Sequence, residues 1–314
     1  MLRLESATTK ILYSIAAAAV VAAFLPGAGE LRADTTIFTN IPGTLAPSYP
    51  SQAYEAQQTG EFGTGMVTAS GGKLTSATVV LDTWAGENDS GVAGSSTGEQ
   101  WDYETSGWCT ANPGSWNSSG WNYPFTLSFY DVNSANPSVP GALIGSVTET
   151  QFVPWRPVAT GASAGYAAYY TVNGINHYGY ATPITFNLSS SGITVPSQFI
   201  MTLGFNTEAW GASPTSETGP YDSLNIATMG GVSTAPTVGS YLNVNDIYTD
   251  QRSGSDAYQP LAFGSGLNQQ TGWTDYQPLM SVTATPEPTT LALFAIAGAG
   301  ALLLLSRRKR QAHA

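Results

Sequence analysis

Apolar and polar positions alternate with a period of two along much of the chain. In Phe125-Thr126-Leu127-Ser128-Phe129-Tyr130-Asp131 every second residue is large and apolar until the turn formers Asn133, Asn136 and Pro137 end the run. Lys73 to Asp82 is rich in β-branched residues and stops at a turn around Gly86. Leu143 to Thr150, Ala181 to Leu188, Gln198 to Phe205, Ser223 to Met229 and Tyr276 to Ala284 repeat the pattern between clusters of Gly, Pro, Asn and Ser. None of these segments sustains the 3.6-residue period of an amphipathic helix. The expected fold class is therefore all-β: many short antiparallel strands in a β-sandwich or jelly roll, whose two sheets cover each other's apolar faces. Residues 34–285 read as one such domain, with two adjacent sandwiches as the alternative.

The two ends break this pattern. Arg3 and Lys10 precede an apolar run from Ile11 to Leu25, and Pro26-Gly27 follows before Leu31-Arg32-Ala33. A charged front, a short apolar run and a small residue at the end make residues 1–33 a secretory signal peptide with cleavage before Asp34. Ala28 is a rival cleavage site, and an uncleaved N-terminal anchor is the alternative. At the other end Pro286-Glu287-Pro288 leads into residues 289–306. That stretch is apolar from Leu291 to Leu305, and Arg307, Arg308, Lys309 and Arg310 follow it. At ~1.5 Å per residue its 18 residues just reach across a hydrocarbon core as one short transmembrane helix. The four cations hold its far end on the cytoplasmic side, which leaves the body outside.

Composition sharpens this picture chiefly through charge. The chain of 314 residues has a formal net charge of −11, yet seven of its ten bases lie in the two end segments. Residues 34–285 keep only Lys73, Arg156 and Arg252 against 18 acids, a net charge of −15. Such a surface cannot neutralise a phosphate backbone, so nucleic acid is excluded as a partner. Cations and neutral glycans are the partners it repels least. With Gly 34 and Pro 19, turns are abundant, as many short strands require.

The order of Pro286-Glu287-Pro288, a single short apolar helix carrying Gly298 and Gly300, and the basic cluster 307–310 resembles the PEP-CTERM protein-sorting domain of Gram-negative bacteria. The resemblance implies recognition by an exosortase-type membrane enzyme after passage through the secretion machinery, cleavage near the triplet, and delivery to the cell surface or extracellular matrix. The triplet would then be a substrate and not a catalyst, and a plain C-terminal anchor is the alternative. A second resemblance covers about Leu74 to Ile226. Thr126-Leu127-Ser128-Phe129-Tyr130-Asp131, Phe152-Val153-Pro154-Trp155-Arg156-Pro157 and Pro220-Tyr221-Asp222-Ser223-Leu224-Asn225 are similar to an uncharacterised family of secreted bacterial β-proteins. It implies a β fold and an extracellular setting, and supplies no catalytic residues. In it Arg156, between Trp155 and Pro157, reads as structural, with its stem on an aromatic face.

Candidate sites in the body are few. Trp101, Trp108, Trp116, Trp121 and Tyr123 crowd a Gly/Ser-rich stretch and form a candidate glycan contact, because the C–H face of a pyranose stacks on a flat ring. The competing reading is that these rings bury a long loop. Asp82, Glu87 and Asp89, with Asn88, are candidate calcium ligands, and Asn243, Asn245, Asp246 and Asp250 form a second acidic loop. Neither has EF-hand spacing, and these residues are also ordinary turn formers. Calcium is the one cofactor considered. Cys109 is the chain's only cysteine, so no intramolecular disulfide forms, and any Cys-His or Ser-His chemistry in the body would have to use His177. No Gly-x-Ser-x-Gly elbow, phosphate loop or dinucleotide fingerprint is present in its required context. The acids could always supply a glycosidase pair in space. The expectation is an exported structural or adhesive protein of extracellular polysaccharide, without catalytic activity. A carbohydrate-binding module is the alternative and a glycoside hydrolase the remoter one.

Overall fold

Extended segments dominate the computed structural model, which describes residues 33–86, 107–136, 138–162, 168–230, 235–251 and 266–286. In chain order the first strands are β1 (Thr35–Thr39), β2 (Ser51–Ala53), β3 (Glu61–Val67), β4 (Gly72–Thr83), β5 (Trp116–Asn117), β6 (Gly120–Val132), β7 (Pro140–Pro154), β8 (Gly161–Ala162) and β9 (Ala168–Val172). The rest are β10 (Ile175–His177), β11 (Tyr180–Asn187), β12 (Thr194–Val195), β13 (Gln198–Gly204), β14 (Leu224–Ala227), β15 (Ser240–Tyr241), β16 (Asp246–Thr249), β17 (Asn268–Thr271) and β18 (Met280–Pro286). One five-residue helix, α1 (Gly107–Ala111), and a 3-10 turn at Pro220–Ser223 are the helices among the described residues. Asp34–Thr285 forms one compact unit.

The strands assemble as an antiparallel β-sandwich. One sheet runs β1-β18-β4-β14-β2, with β11 and β12 also paired to β4, and the other runs β17-β16-β3-β13-β6-β5, with β15 on β3 and β7 on β6. β10-β9-β8 form a small sheet of their own, tied to the rest where Tyr170 Oη donates to the Pro47 carbonyl at 3.0 Å. Alternation decides what lies between the two large sheets. Trp121, Tyr123, Phe125, Leu127 and Phe129 of β6 face inward at every second position and meet Val79 and Leu81 of β4 and Ile184 and Phe186 of β11 in one core. Burial of this continuous apolar layer is the main force holding the sheets together. The intervening residues of β4 turn outward: Val80 joins Ala181, Ala227 and Leu279 in a smaller cluster on the far face.

Two details close the sandwich. The side chains of β7 reach across to β11 of the other sheet. Gln151 Nε2 donates to the Thr185 carbonyl at 3.1 Å, and the Asn187 amide donates to Glu149 Oε1 at 3.1 Å. These two side chains satisfy backbone groups on β11 and blunt an edge open to strand addition. On the opposite strand pair, β3 carries Gly63 where a side chain would run into the Met201 carbonyl and Thr202 of β13, so glycine is required for the strands to approach.

The seven strands read from alternation all form, with bounds shifted by a few residues. The leader, the transmembrane helix 289–306 and the basic tail Arg307, Arg308, Lys309 and Arg310 lie outside the described residues. Among the described residues no helix is long and apolar enough to cross a membrane.

Candidate functional sites

The two ends of the body meet. β1 pairs antiparallel with β18, placing Thr35 opposite Ala284 and Thr36 opposite Thr283. One step further out, Thr285 Oγ1 donates to Asp34 Oδ1 at 3.0 Å. Gly72 at the start of β4 allows this rim to close, since a Cβ there would stand 2.6 Å from the Thr285 carbonyl oxygen. The position after the expected leader and the residue before Pro286 are therefore neighbours on one rim. Pro286 ends β18, and Glu287 and Pro288 lie outside the described residues.

The aromatic residues proposed for glycan contact are placed mostly in the core. Trp121 is fully buried, Tyr123 and Trp108 nearly so, and Trp108 sits on α1 with its edge toward Trp121, Tyr123 and Tyr221. Tyr123 stacks on Tyr221 at 4.8 Å. Trp116 is half-buried, and its Nε1 donates to the Cys109 carbonyl at 2.8 Å. Trp121 and Tyr123 are inward positions of β6, and α1 folds Trp108 down on them, so these rings offer no open face to a pyranose. The glycan reading of Trp108, Trp121 and Tyr123 is corrected on that ground. Trp101 lies outside the described residues. Cys109 is itself buried in this cluster.

The calcium reading also changes. Asp82 is not in a turn: it is the outward-facing penultimate residue of β4, fully buried beneath the covering loops. Its carboxylate accepts hydrogen bonds from the Tyr49 amide at 3.3 Å and from Trp84 Nε1 at 2.9 Å. Burial pushes this carboxyl up to about 7 despite those bonds. Glu87 and Asp89 lie outside the described residues, as does Asn88. In the second loop Asp246 accepts from Asn243 and Gln269, and Asp250 Oδ1 accepts from the Gly60 and Glu61 amides at 2.8 and 2.5 Å. These acids fasten turns, and among the described residues no three His, Cys, Asp or Glu side chains converge on a metal position.

His177, on β10, meets Ser48: Ser48 Oγ and His177 Nδ1 are 3.1 Å apart, and the imidazole lies 5.6 Å from the Tyr170 ring. Cys109, in the core cluster, is not brought to it. Arg156 is buried, with its amide donating to the Ala85 carbonyl.

A site that the sequence did not single out lies beyond the end of β4. Trp84 is half-buried and held at two points, its amide donating to the Ser223 carbonyl at 2.8 Å and its Nε1 to Asp82. Tyr178 stacks alongside it, centroids 6.0 Å apart and planes 19° apart. Gly179 permits this arrangement, because a side chain there would collide with Asp82 and the Trp84 nitrogen. Trp84 lines a pocket of about 190 Å³ with Ala53, Ala56, Asp222, Ser223 and Asn225. Register explains the floor: Asn225 of β14 pairs with Asp82 on one side and Ala53 on the other, so the three share the outward face. Asp222 is fixed by the Glu208 amide at 2.7 Å and the Gly219 amide at 2.8 Å. Burial, with Glu55 and Glu208 nearby, pushes its carboxyl up to about 7. Trp84 carries no composition signal. The available clue was its position just after the buried acid Asp82.

Residues 284–310 match the PEP-CTERM protein-sorting motif. Neither a curated protein nor a solved structure matches the chain. The chain thus carries a sorting signal that begins within β18. It is an exported protein whose membrane-anchored precursor is processed by an exosortase, a membrane enzyme, and passed to the cell surface.

Proposed function

We propose that the exported body is a structural and adhesive component of extracellular polysaccharide, delivered by its C-terminal signal and without catalytic activity of its own. The observation that carries this reading is the sorting motif at residues 284–310, continuous with the last strand of a closed, acidic sandwich. Two further features support it. A net charge of −15 on residues 34–285 keeps the body soluble and apart from anionic surfaces, and favours neutral glycan as the surrounding material. The β1–β18 pairing ties the two ends of the body together, so release from the tail leaves no loose strand. Passage through the secretion machinery of a Gram-negative cell and cleavage at Pro286-Glu287-Pro288 belong to the same proposal.

The test is to replace Pro286 and Pro288 by alanine and follow the chain by fractionation into membrane, surface and medium. The expected outcome is accumulation of unprocessed, membrane-held precursor. Unchanged surface delivery would reduce residues 286–310 to a plain anchor. For the adhesive part, enzymatic digestion of the matrix polysaccharide should release the wild-type body, and a body released equally without digestion contradicts adhesion.

A further inference from the structure

An enzyme that cuts a chain takes the residues before the cut as an extended segment whose backbone N–H and C=O groups pair with its own cleft. The sorting motif begins before the fold ends: its match starts at Ala284, inside β18. β18 is not an edge strand, since β1 lies on one side of it and β4 on the other. Thr35 stands opposite Ala284, and Thr285 Oγ1 donates to Asp34 Oδ1 at 3.0 Å. On the β4 side Gly72 comes so close that a Cβ there would stand 2.6 Å from the Thr285 carbonyl oxygen and 3.2 Å from the Ala284 Cβ. Ala284 itself is fully buried in the core between the sheets. Local sterics add to this: the residue before a proline favours extended backbone, so Pro286 keeps Thr285 straight, and, lacking an N–H, ends the ladder there. Residues 284–286 thus already have the shape a cleft reads, but they sit between two neighbouring strands.

We propose that the end of β18, residues 284–286, peels away from β1 and β4 before the precursor is cut, so that this rim is a latch whose opening sets the rate of release. The inference rests on the reading that the cut falls at Pro286-Glu287-Pro288, and adds the step that precedes it. The opening is local: Met280 and Val282 stay in the core, and β1 and β18 remain paired from Thr36 and Thr283 inward. Peeling uncovers one small apolar side chain, Ala284, and breaks the bond from Thr285 to Asp34, a small part of what global unfolding exposes. With opening and closing fast beside cleavage, the rate of cutting follows the open population.

The test is to lock and to loosen the rim in the full-length precursor, in its native cells, and to follow conversion to the processed form by pulse-chase. Residues directly opposite in an antiparallel pair have Cα atoms roughly 4.5–5.5 Å apart, within reach of a disulfide, so Thr35→Cys with Ala284→Cys in a Cys109→Ala background supplies the lock. Gly72→Ala, which lies in neither the leader nor the motif, loosens the rim by pressing on the Thr285 carbonyl. The oxidised lock should slow conversion by about tenfold or more against the same chain held reduced, and Gly72→Ala should speed it several-fold. The reduced chain carries the same substitutions, so the comparison isolates the cross-link. With Cys109 as its sole cysteine, the wild-type chain has no internal disulfide for the reductant to open, and its rate serves as the control. A thermal transition recorded for each variant separates a loosened rim from an unfolded body, and if Gly72→Ala does not fold, the lock alone decides. Equal conversion of the oxidised and reduced chains, or a wild-type rate in a folded Gly72→Ala precursor, overturns the latch. Pro286→Ala with Pro288→Ala separates the two levels of inference. A chain still cut without the prolines refutes the reading beneath the latch, whereas a chain cut only with them, and equally fast locked or free, refutes the latch alone.

Discussion

Two groups of tryptophan in this sandwich have opposite fates. Trp108, Trp121 and Tyr123 pack edge-to-face and stacked into the core, with Trp116 at their margin, while Trp84 stands half-open beside a pocket. The difference comes from position relative to the strands. Trp121 and Tyr123 are alternate residues of a 13-residue strand, so the pleat that buries Phe125 and Leu127 buries them too. Trp84 is the first residue after β4, where the chain has left the ladder, and an outward-facing acid takes its indole N–H. In this chain a dense patch of aromatics in the sequence therefore marks the core, whereas an aromatic residue just past a strand end stays half-exposed.

Truncating one member of each group puts this contrast at greatest risk. Trp121→Ala removes a fully buried ring and should lower stability by ~3–5 kcal/mol in denaturant unfolding. Trp84→Ala should lower it by only about 1–2 kcal/mol, the loss of a half-buried ring and one hydrogen bond. Comparable losses from the two would mean that Trp84 is a core residue after all.

Next in size is a pH effect centred on the acids of the Trp84 region. Asp82 and Asp222 hold their protons up to about 7 in the folded body, well above an ordinary unfolded carboxyl. A raised folded value means that the native state binds the proton more tightly, so this contribution is complete below about pH 4 and is lost as the pH rises toward 7. Stability should accordingly fall between about pH 4 and pH 7 by a few kcal/mol, since each tenfold difference in proton affinity between the folded and unfolded chain is worth ~1.4 kcal/mol. Asp82→Asn should flatten part of that slope and stabilise the body at pH 8, while substitutions in the buried cluster leave the slope alone. Melting curves across this range decide it, and a profile flat from about pH 4 to pH 7 contradicts the assignment.

The smallest effect concerns the side where β7 meets β11. Replacing Glu149 and Gln151 by alanine strips two half-buried hydrogen-bonding side chains and should reduce stability by about 1 kcal/mol or less. The edge it uncovers should show more clearly in light scattering, as concentration-dependent association, than in the melting temperature. Monodisperse behaviour of the double variant at high concentration would mean that the edge is protected some other way.

Much of the fold was legible because alternation is a direct imprint of the pleat. The segments around Lys73, Phe125, Leu143, Ala181, Gln198, Ser223 and Tyr276 all became strands. β3 escaped because Gly63 and Gly65 interrupt its pattern, and those glycines are there for the close approach of β13 and of Leu242. β16 escaped because Asn243, Asn245, Asp246 and Asp250 read as turn formers around a four-residue strand. The sorting signal was legible because its three parts are contiguous in sequence. The Trp84 pocket was not, because it gathers Ala53, Trp84, Asp222 and Asn225 from segments that only strand pairing brings together.

The account turns on the C-terminal motif that carries the body to the surface. The decisive experiment is to express the full-length chain with Pro286→Ala and Pro288→Ala in its native cells and to measure the share of body that reaches the cell surface. Accumulation of unprocessed precursor in the membrane fraction, with little body at the surface, is expected. Surface delivery equal to wild type would contradict the account.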